Sequence, residues 1–524
     1  MSTVEQSAAG TPGGGPGTAV PETAPETVPD TATEAVQHTV QDAVAEAVQD
    51  VVQQAGVPAP WPELPDTASW GGRHVHDPTV VRDDEGTYWC FSTDARYDGP
   101  VRAGVPIRRS DDLVTWELTG WALPGVPAAA TAWAGAEGLW APDVVRAPGG
   151  DGWRMYYSAS SFGSRRSAIG LATAPHPAGP WTDAGLVVSS EHHEPPAGTN
   201  HPNAIDANVV TDADAQWLVY GSFFGGIHVL PLDPATGLVR HDAAESGEPG
   251  GLTTHPGRLV ARRAPRVDNG AVEGAFVLPR PGGGWALLVS YDSLASGYHV
   301  RAAVADAVTG PYRDRAGHLM TDLDAEPWSV GVPVLSGHRL TDGPGILAPG
   351  HGSVLTETVD VGQGAEHAAG RTAGRTVPRQ TFVHHVRDAD APTEHRLQIR
   401  RLLWTHDGWP LVSPQPWAGP AREVDDPAAW PTGTDVLDGS WELLEPGADP
   451  GRVQAGRTAG LGARDQVRSH GAGRFSWTAQ DGAQVSAVVH PGWDAVRDRP
   501  ALVLTALDDA GRVVVGTKVD RGDA

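Results

Sequence analysis

Cysteine is almost missing from the 524 residues: Cys90 stands alone. That excludes an intrachain disulfide framework and any zinc or iron–sulfur site built on cysteines. Lysine is as scarce, Lys518 being the single one beside many arginines. With 38 Lys+Arg against 64 Asp+Glu the formal net charge is −26, so the chain has no basic face to offer a nucleic-acid backbone. No run approaches the roughly 18 apolar residues that a membrane-spanning helix requires. Residues 1–72 contain no Lys or Arg, the first cation being Arg73, and no apolar stretch follows them. Both halves of a secretory signal are therefore missing. As written, the chain is expected in the cytoplasm; a mis-assigned start codon would leave secretion open.

What is abundant is glycine (65), proline (46) and tryptophan (19), the last outnumbering Phe (7) and Tyr (8) combined. Indole faces suit the apolar C–H face of a sugar ring, and they equally serve as large core fillers. Residues 2–30 are rich in Gly, Pro, Thr, Glu and Ala and read as disordered. Over about 31–55, Val36, Val40, Val44, Val48 and Val52 recur every fourth residue and predict one apolar helical stripe. That stripe is a candidate for self-association, against the plainer reading of a solvated helix on a disordered tail. The whole of 1–72 is taken as an acidic extension ahead of the folded region.

From Arg73 the chain changes to short β-type runs broken by Gly, Pro, Asp and Asn. Strands are predicted at Thr87–Ser92, Gly152–Ser158, Gln216–Gly221, Gly284–Ser290 and Gln380–Val386. A related phrase precedes each: HDPTVVRD, APDVVRAP, AIDANVVTD, VEGAFVLPR and GHGSVLTE. Their polar anchors, Asp77, Asp143, Asp206, Glu273 and His351, are 66, 63, 67 and 78 residues apart. A Gly/Arg/Ala-rich insertion at 362–377 follows the last anchor. Five such units predict an all-β fold, a five-bladed β-propeller over 73–425. In a propeller the starts of the innermost strands converge at one end of the axis. Four of the five anchors are carboxylates, and crowding pushes carboxylate pKa values apart, so that one stays protonated while another stays ionised. Residues 434–524 carry further strand-like runs (438–447, 473–482, 501–511, 512–519) and are expected to form a small β-barrel or sandwich.

The phrases HDPTVV, LWAPDV, NAIDANVV, VEGAFV and APGHGSVL, with YGSFFGGI (220–227) and RRLLWTHDGWPLVSP (400–414), resemble the ordered motifs of glycoside hydrolase family 43. They are most similar to its endo-α-1,5-L-arabinanase branch. The C-terminal region is similar to the β-barrel appended to longer bacterial members. The resemblance implies an inverting hydrolase acting on arabinan or arabino-oligosaccharides. It implies Asp77 as general base, Glu273 as general acid and Asp206 as the carboxylate that orients the acid and tunes its pKa. Asp143, Trp140, Phe223 and Phe224 become candidates for substrate contact. His351 resembles the histidine that holds a hydrated metal ion, calcium first among the candidates, at the propeller axis. Imidazole is an unusual ligand for a hard cation, so water would fill most of that shell. No organic cofactor is implied. The chain departs from the family at Ala207 and Ala275, where proline is usual. An exo-acting α-L-arabinofuranosidase or β-xylosidase on the same fold is the second reading. A non-catalytic sugar-binding propeller is the third.

Overall fold

The computed structural model describes residues 67–519, apart from 191–201, 241–255, 362–374, 448–451 and the single positions 98, 165, 214, 224 and 296. The 31–55 stripe, most of the 362–377 insertion and Phe224 lie outside the described residues.

The expected five blades are present. Four are four-stranded antiparallel sheets with strands in chain order, and the fifth has the same four strands with two additions. The innermost strands are Thr79–Arg82, Leu139–Arg146, Asn208–Asp212, Val272–Pro279 and Gly345–Asp360. The predicted strands are the second in each blade: Tyr88–Phe91, Trp153–Ala159, Ala215–Tyr220, Trp285–Tyr291 and Thr376–Asp388. These second strands are mostly buried, those of blades 1, 2 and 4 along their whole length, because each blade is covered on both faces. The core is divided accordingly. One apolar cluster fills the space between blades 3 and 4 (Val219, Val229, Leu287, Val289) and another joins blade 5 to blade 1 (Val80, Cys90, Val383, Ile399). Most indoles serve this packing; Trp153, Trp285, Trp409 and Trp441 are buried. The ring is closed by the entering chain, whose Gly72 carbonyl accepts the Leu397 N–H of blade 5 at 2.8 Å.

The C-terminal region is one seven-stranded sheet. Its two edge strands, Arg457–Ala459 and Arg464–Gly471, are joined by residues 460–463 alone. A flat seven-stranded sheet is about 29 Å wide, whereas that link reaches at most about 18 Å. The sheet must therefore curl round on itself, in keeping with the barrel or sandwich expected from the sequence, although among the described residues its two edge strands are not paired with each other. It is fused to the propeller in two ways. Gln454–Ala455 pairs in parallel with His338–Arg339, adding a strand to the blade 5 sheet. Leu444, Leu507, Val513 and Val515 share one cluster with blades 4 and 5.

One local feature recurs at or just before the start of four innermost strands and inside the longer one of blade 5. Asp77, Ala141, Asp206, Gly274 and His351 all have positive φ (49°, 40°, 62°, 57° and 43°). In blades 2, 4 and 5 the ladder to the second strand shifts register there, as at a β-bulge. These five residues, not the five anchors read from the motifs, are the equivalent positions. Asp77, Asp206 and His351 are true counterparts. Glu273 stands one residue before its blade's bulge and Asp143 two residues after. The register shift lets blade 4 offer its carboxylate from one residue earlier than blades 1 and 3.

Candidate active site

The five bulges and the two residues after each line a single axial cavity. At its mouth Asp77, Asp206, Glu273 and His351 come together. The Nδ1 of His351 lies 3.0 Å from Asp77 Oδ1, 3.9 Å from Asp206 Oδ2 and 4.0 Å from Glu273 Oε1. His351 approaches this closely because residue 274 has no side chain: a Cβ there would fall 2.8 Å from the His351 Cγ and 2.9 Å from its Cα. The outer two of those distances place the nearer oxygens of Asp77 and Glu273 no more than about 7 Å apart, a bound met both by the roughly 5–5.5 Å of retaining glycosidases and by the lower end of the roughly 6.5–9.5 Å of inverting ones.

The electrostatics separate the acids. Burial pushes the Asp77 carboxyl up, but His351 and His76 outweigh it and hold the group well below the usual carboxylate range. Burial raises Asp206, and Glu273 and Asp77 raise it further against the opposing pull of His351, so Asp206 holds its proton more tightly than an ordinary carboxyl. Burial disfavours the His351 imidazolium, yet Asp77, Asp206 and Glu273 together lift it to about 10. Asp77 is thus an ionised acceptor, and Asp206 a carboxyl that retains its proton beside it.

At four of the five bulges the backbone N–H is held by a side chain at or just past the end of the preceding blade's second strand. Thr93 donates to Asp77 Oδ2 at 2.6 Å and accepts the Ala141 N–H at 2.8 Å. Ser158 accepts the Asp206 N–H at 2.9 Å, and Ser290 accepts the His351 N–H at 2.9 Å. Ser222 donates to Glu273 Oε2 at 3.1 Å, while Tyr298 donates to Oε1 at 2.7 Å. His385 completes the cycle from blade 5 to blade 1, its Nδ1 accepting the Asp77 N–H at 3.2 Å. Burial, with the charge of His76 next, keeps His385 neutral, as an acceptor must be. Sequence reasoning missed these supports. Their signal was present as a hydroxyl recurring at second-strand ends, in CFST, YYSAS, VYGS and LLVSY.

The remaining candidates separate. Asp143 lies deeper in the cavity, in a ring with Thr79, Asn208, Phe276 and Ser353. Its Oδ2 accepts the Val209 N–H at 2.6 Å, and burial raises its pKa to about 7. It ties blade 2 to blade 3 and stands apart from the cluster at the mouth. Trp140 is half-buried in the register of Glu273. Phe223 is 38% exposed on the loop after the second strand of blade 3, its N–H donated to Val272 O at 2.6 Å. The corresponding loops of blades 1 and 2 carry Tyr97 (51% exposed) and Phe162 (97% exposed), which the sequence had not singled out. Three successive blades thus present an exposed aromatic at the catalytic end. Ala207 and Ala275, the departures from the family, occupy the position that Pro78 and Pro142 hold in blades 1 and 2, so the bulge forms with either residue.

Comparison with known proteins agrees with this geometry. The family described as glycosyl hydrolases family 43 matches residues 72–410. The chain is 25% identical over 488 residues to extracellular endo-α-(1→5)-L-arabinanase 2 of Bacillus subtilis (strain 168), covering 85% of this chain and 92% of that protein. It is 34% identical over 290 residues to arabinan endo-1,5-α-L-arabinosidase C of Emericella nidulans, 53% of this chain and 77% of that one. The crystal structure of the glycoside hydrolase family 43 YxiA protein from Bacillus licheniformis superposes with a TM-score of 0.66 at 26% identity, covering 85% of this chain and 98% of that one. The match over nearly all of the propeller, with the carboxylates converging on its axis, makes this chain a member of glycosyl hydrolase family 43.

Proposed function

We propose that the protein is an endo-acting arabinan hydrolase that cleaves α-1,5-linked L-arabinofuranosyl bonds with inversion. The observation that carries this is the grouping of Asp77, Asp206 and Glu273 within 4.0 Å of one imidazole nitrogen. The arabinan-cleaving relatives support the choice of substrate. Tyr97, Phe162 and Phe223 support the endo choice, since three aromatics spread over three blades suit a chain lying across the mouth.

In this reading Glu273 gives its proton to the glycosidic oxygen as the bond from C1 to that oxygen breaks. A water on the opposite face of the sugar forms the new C1–O bond and loses a proton to Asp77. Two groups hold Glu273 in place, Ser222 on one oxygen and Tyr298 on the other. Thr93, His76 and His351 hold Asp77 ionised and fix which oxygen faces the water. Asp206 receives the Gly274 N–H at 3.3 Å and so sets the backbone that carries Glu273.

An axial metal ion belongs to the same reading. The ring turns Nδ1 to Asp77, leaving Nε2 as the nitrogen that would take a cation in exchange for the proton the carboxylates otherwise hold on the ring, and the cavity holds about 20 Å³, room for little more than a water. Asp143, buried and raised to about 7, would be held ionised by a nearby cation. The residues therefore fit a hydrated divalent ion with His351 as its protein ligand. When bound, the ion would supply positive charge to the carboxylate cluster.

The test is chromatography of products from debranched linear arabinan and arabino-oligosaccharides, with Glu273→Gln alongside. Oligosaccharides of mixed length, absent in the variant, are expected. Arabinose as the sole product would move the assignment to exo action, and binding without turnover would contradict the enzyme reading.

A further inference from the structure

On the flank of the propeller, away from the axial cavity, blade 4 and the C-terminal barrel enclose a second cleft of about 270 Å³. Blade 4 contributes Asp314, Arg315, His318 and Trp328, and the barrel contributes Glu445 and Arg512 among others. We infer that this cleft is a secondary carbohydrate-binding site that takes an arabinosyl segment of the substrate chain, with Trp328 as its stacking platform. The inference rests on the arabinan reading above.

Three observations carry it. First, Trp328 is 44% exposed, and among the described residues it is the one indole more than about a third exposed in a chain that uses its tryptophans as core. Second, the loop holding it is pinned from beneath by two buried arginines. Arg301 donates to the carbonyls of Trp328 (2.7 Å), Val330 (2.9 Å) and Gly331 (3.0 Å). Arg263, clamped on Asp292 at 2.8 and 3.0 Å, donates to the Pro327 carbonyl and sets its guanidinium 4.7 Å from the indole centroid. An indole so anchored is a rigid platform whose ordering cost is met on folding rather than on binding. Third, the charged side chains lining the cleft balance, Asp314 and Glu445 against Arg315 and Arg512, and each is already engaged by a protein partner. His318 pairs with Asp314 (3.1 Å), Arg315 with Asp407 (2.6 Å), Glu445 with Arg457 (2.7 Å) and Arg512 with Asp508 (2.9 Å). Such a lining offers hydrogen bonds without net charge, which selects a neutral polyhydroxylated ligand over an anion or a cation. The volume, just under the roughly 300 Å³ at which small-molecule pockets begin, suits one or two sugar units and not a folded partner.

The experiment uses the full chain. Calorimetric titration of Glu273→Gln with arabinohexaose is expected to show two sites, falling to one when Trp328→Ala is added. In the otherwise native enzyme Trp328→Ala should raise KM for linear arabinan roughly three- to tenfold, the loss of one aromatic contact, while kcat/KM for arabinotriose stays within about twofold. Ala510→Trp, an exposed turn position on the cleft wall, should reproduce the effect by filling the site and so guards against a folding defect in the first variant. One site in the parent titration, or unchanged KM on the polymer in both variants, would overturn the inference. Failure of the native enzyme to cleave arabinotriose and arabinan alike would instead strike the arabinan reading itself.

Discussion

Gly274→Ala separates the contribution of the axial bulge from the general cost of a side chain at positive φ. Gly274 has φ 57°, where an added Cβ costs about 1–2 kcal/mol. It would also collide with His351, 2.8 Å from Cγ and 2.9 Å from Cα. Ordinary contact begins near 3.4 Å, so blades 4 and 5 must part by about half an ångström or His351 must turn away. Overpacking of that kind adds about 1–3 kcal/mol, for a total of roughly 2–5 kcal/mol. Spread over a body of this size, that lowers the melting temperature by about 2–5 °C. Activity should suffer more, because displacing His351 breaks its 3.0 Å contact with Asp77, and misplacement by about 1 Å can cost on the order of 100-fold. Gly282→Ala is the control. It lies in the same blade at φ 89°, and a Cβ there meets nothing within 4 Å. It should lose a similar backbone increment in stability and keep full activity. Melting curves and kcat/KM on linear arabinan read both outcomes. Equal activity in the two variants would refute the assignment of Gly274 to the His351–Asp77 contact.

Other expectations follow from the same geometry. Tyr298→Phe keeps the buried ring but removes the 2.7 Å bond to Glu273; kcat should fall about 10-fold with KM little changed, the loss of one charge-assisted hydrogen bond. Ala207→Pro and Ala275→Pro, singly, should leave kcat within about twofold, since Pro78 and Pro142 stand at the same place in other blades; collapse of folding would show that the bulges are not equivalent. The anomer released first from an arabino-oligosaccharide, followed by proton NMR, should be β; an α product would contradict the inverting mechanism. Acid should destabilise the fold through His338 and His490, each lowered to about 3 by burial. The unfolded chain takes up those protons below its pKa of about 6.5, so stability falls with pH from about 6.5 towards 3. At pH 5 the loss is about 2 kcal/mol for each histidine, and replacing either by Gln should flatten denaturant midpoints between pH 7 and pH 5.

The propeller was legible because its repeat is long and strongly punctuated: five motif phrases, each followed by a second strand rich in apolar and aromatic residues. The register at the axis was less so. Asp77, Asp206 and His351 are counterparts, but Glu273 and Asp143 are offset by one and two residues, and unequal loops between anchors hide shifts of that size. The abundance of tryptophan is chiefly a matter of packing, with Trp328 the exception that points outward. In the barrel, Arg464–Gly471 escaped notice because it is an exposed edge strand of charged and polar residues without apolar alternation. The hydroxyls behind the carboxylates were written in the sequence at regular places. Their meaning depends on which blade follows which in space, and that is a property of the closed ring.

The most direct test of the central claim asks whether Glu273 protonates the leaving group. Glu273→Gln should be assayed on linear arabinan and on an arabinobioside with a dinitrophenyl leaving group, which departs without a proton. The account predicts a loss of several orders of magnitude on arabinan and a far smaller loss on the activated substrate. Equal losses on both would contradict the role of Glu273 as the general acid.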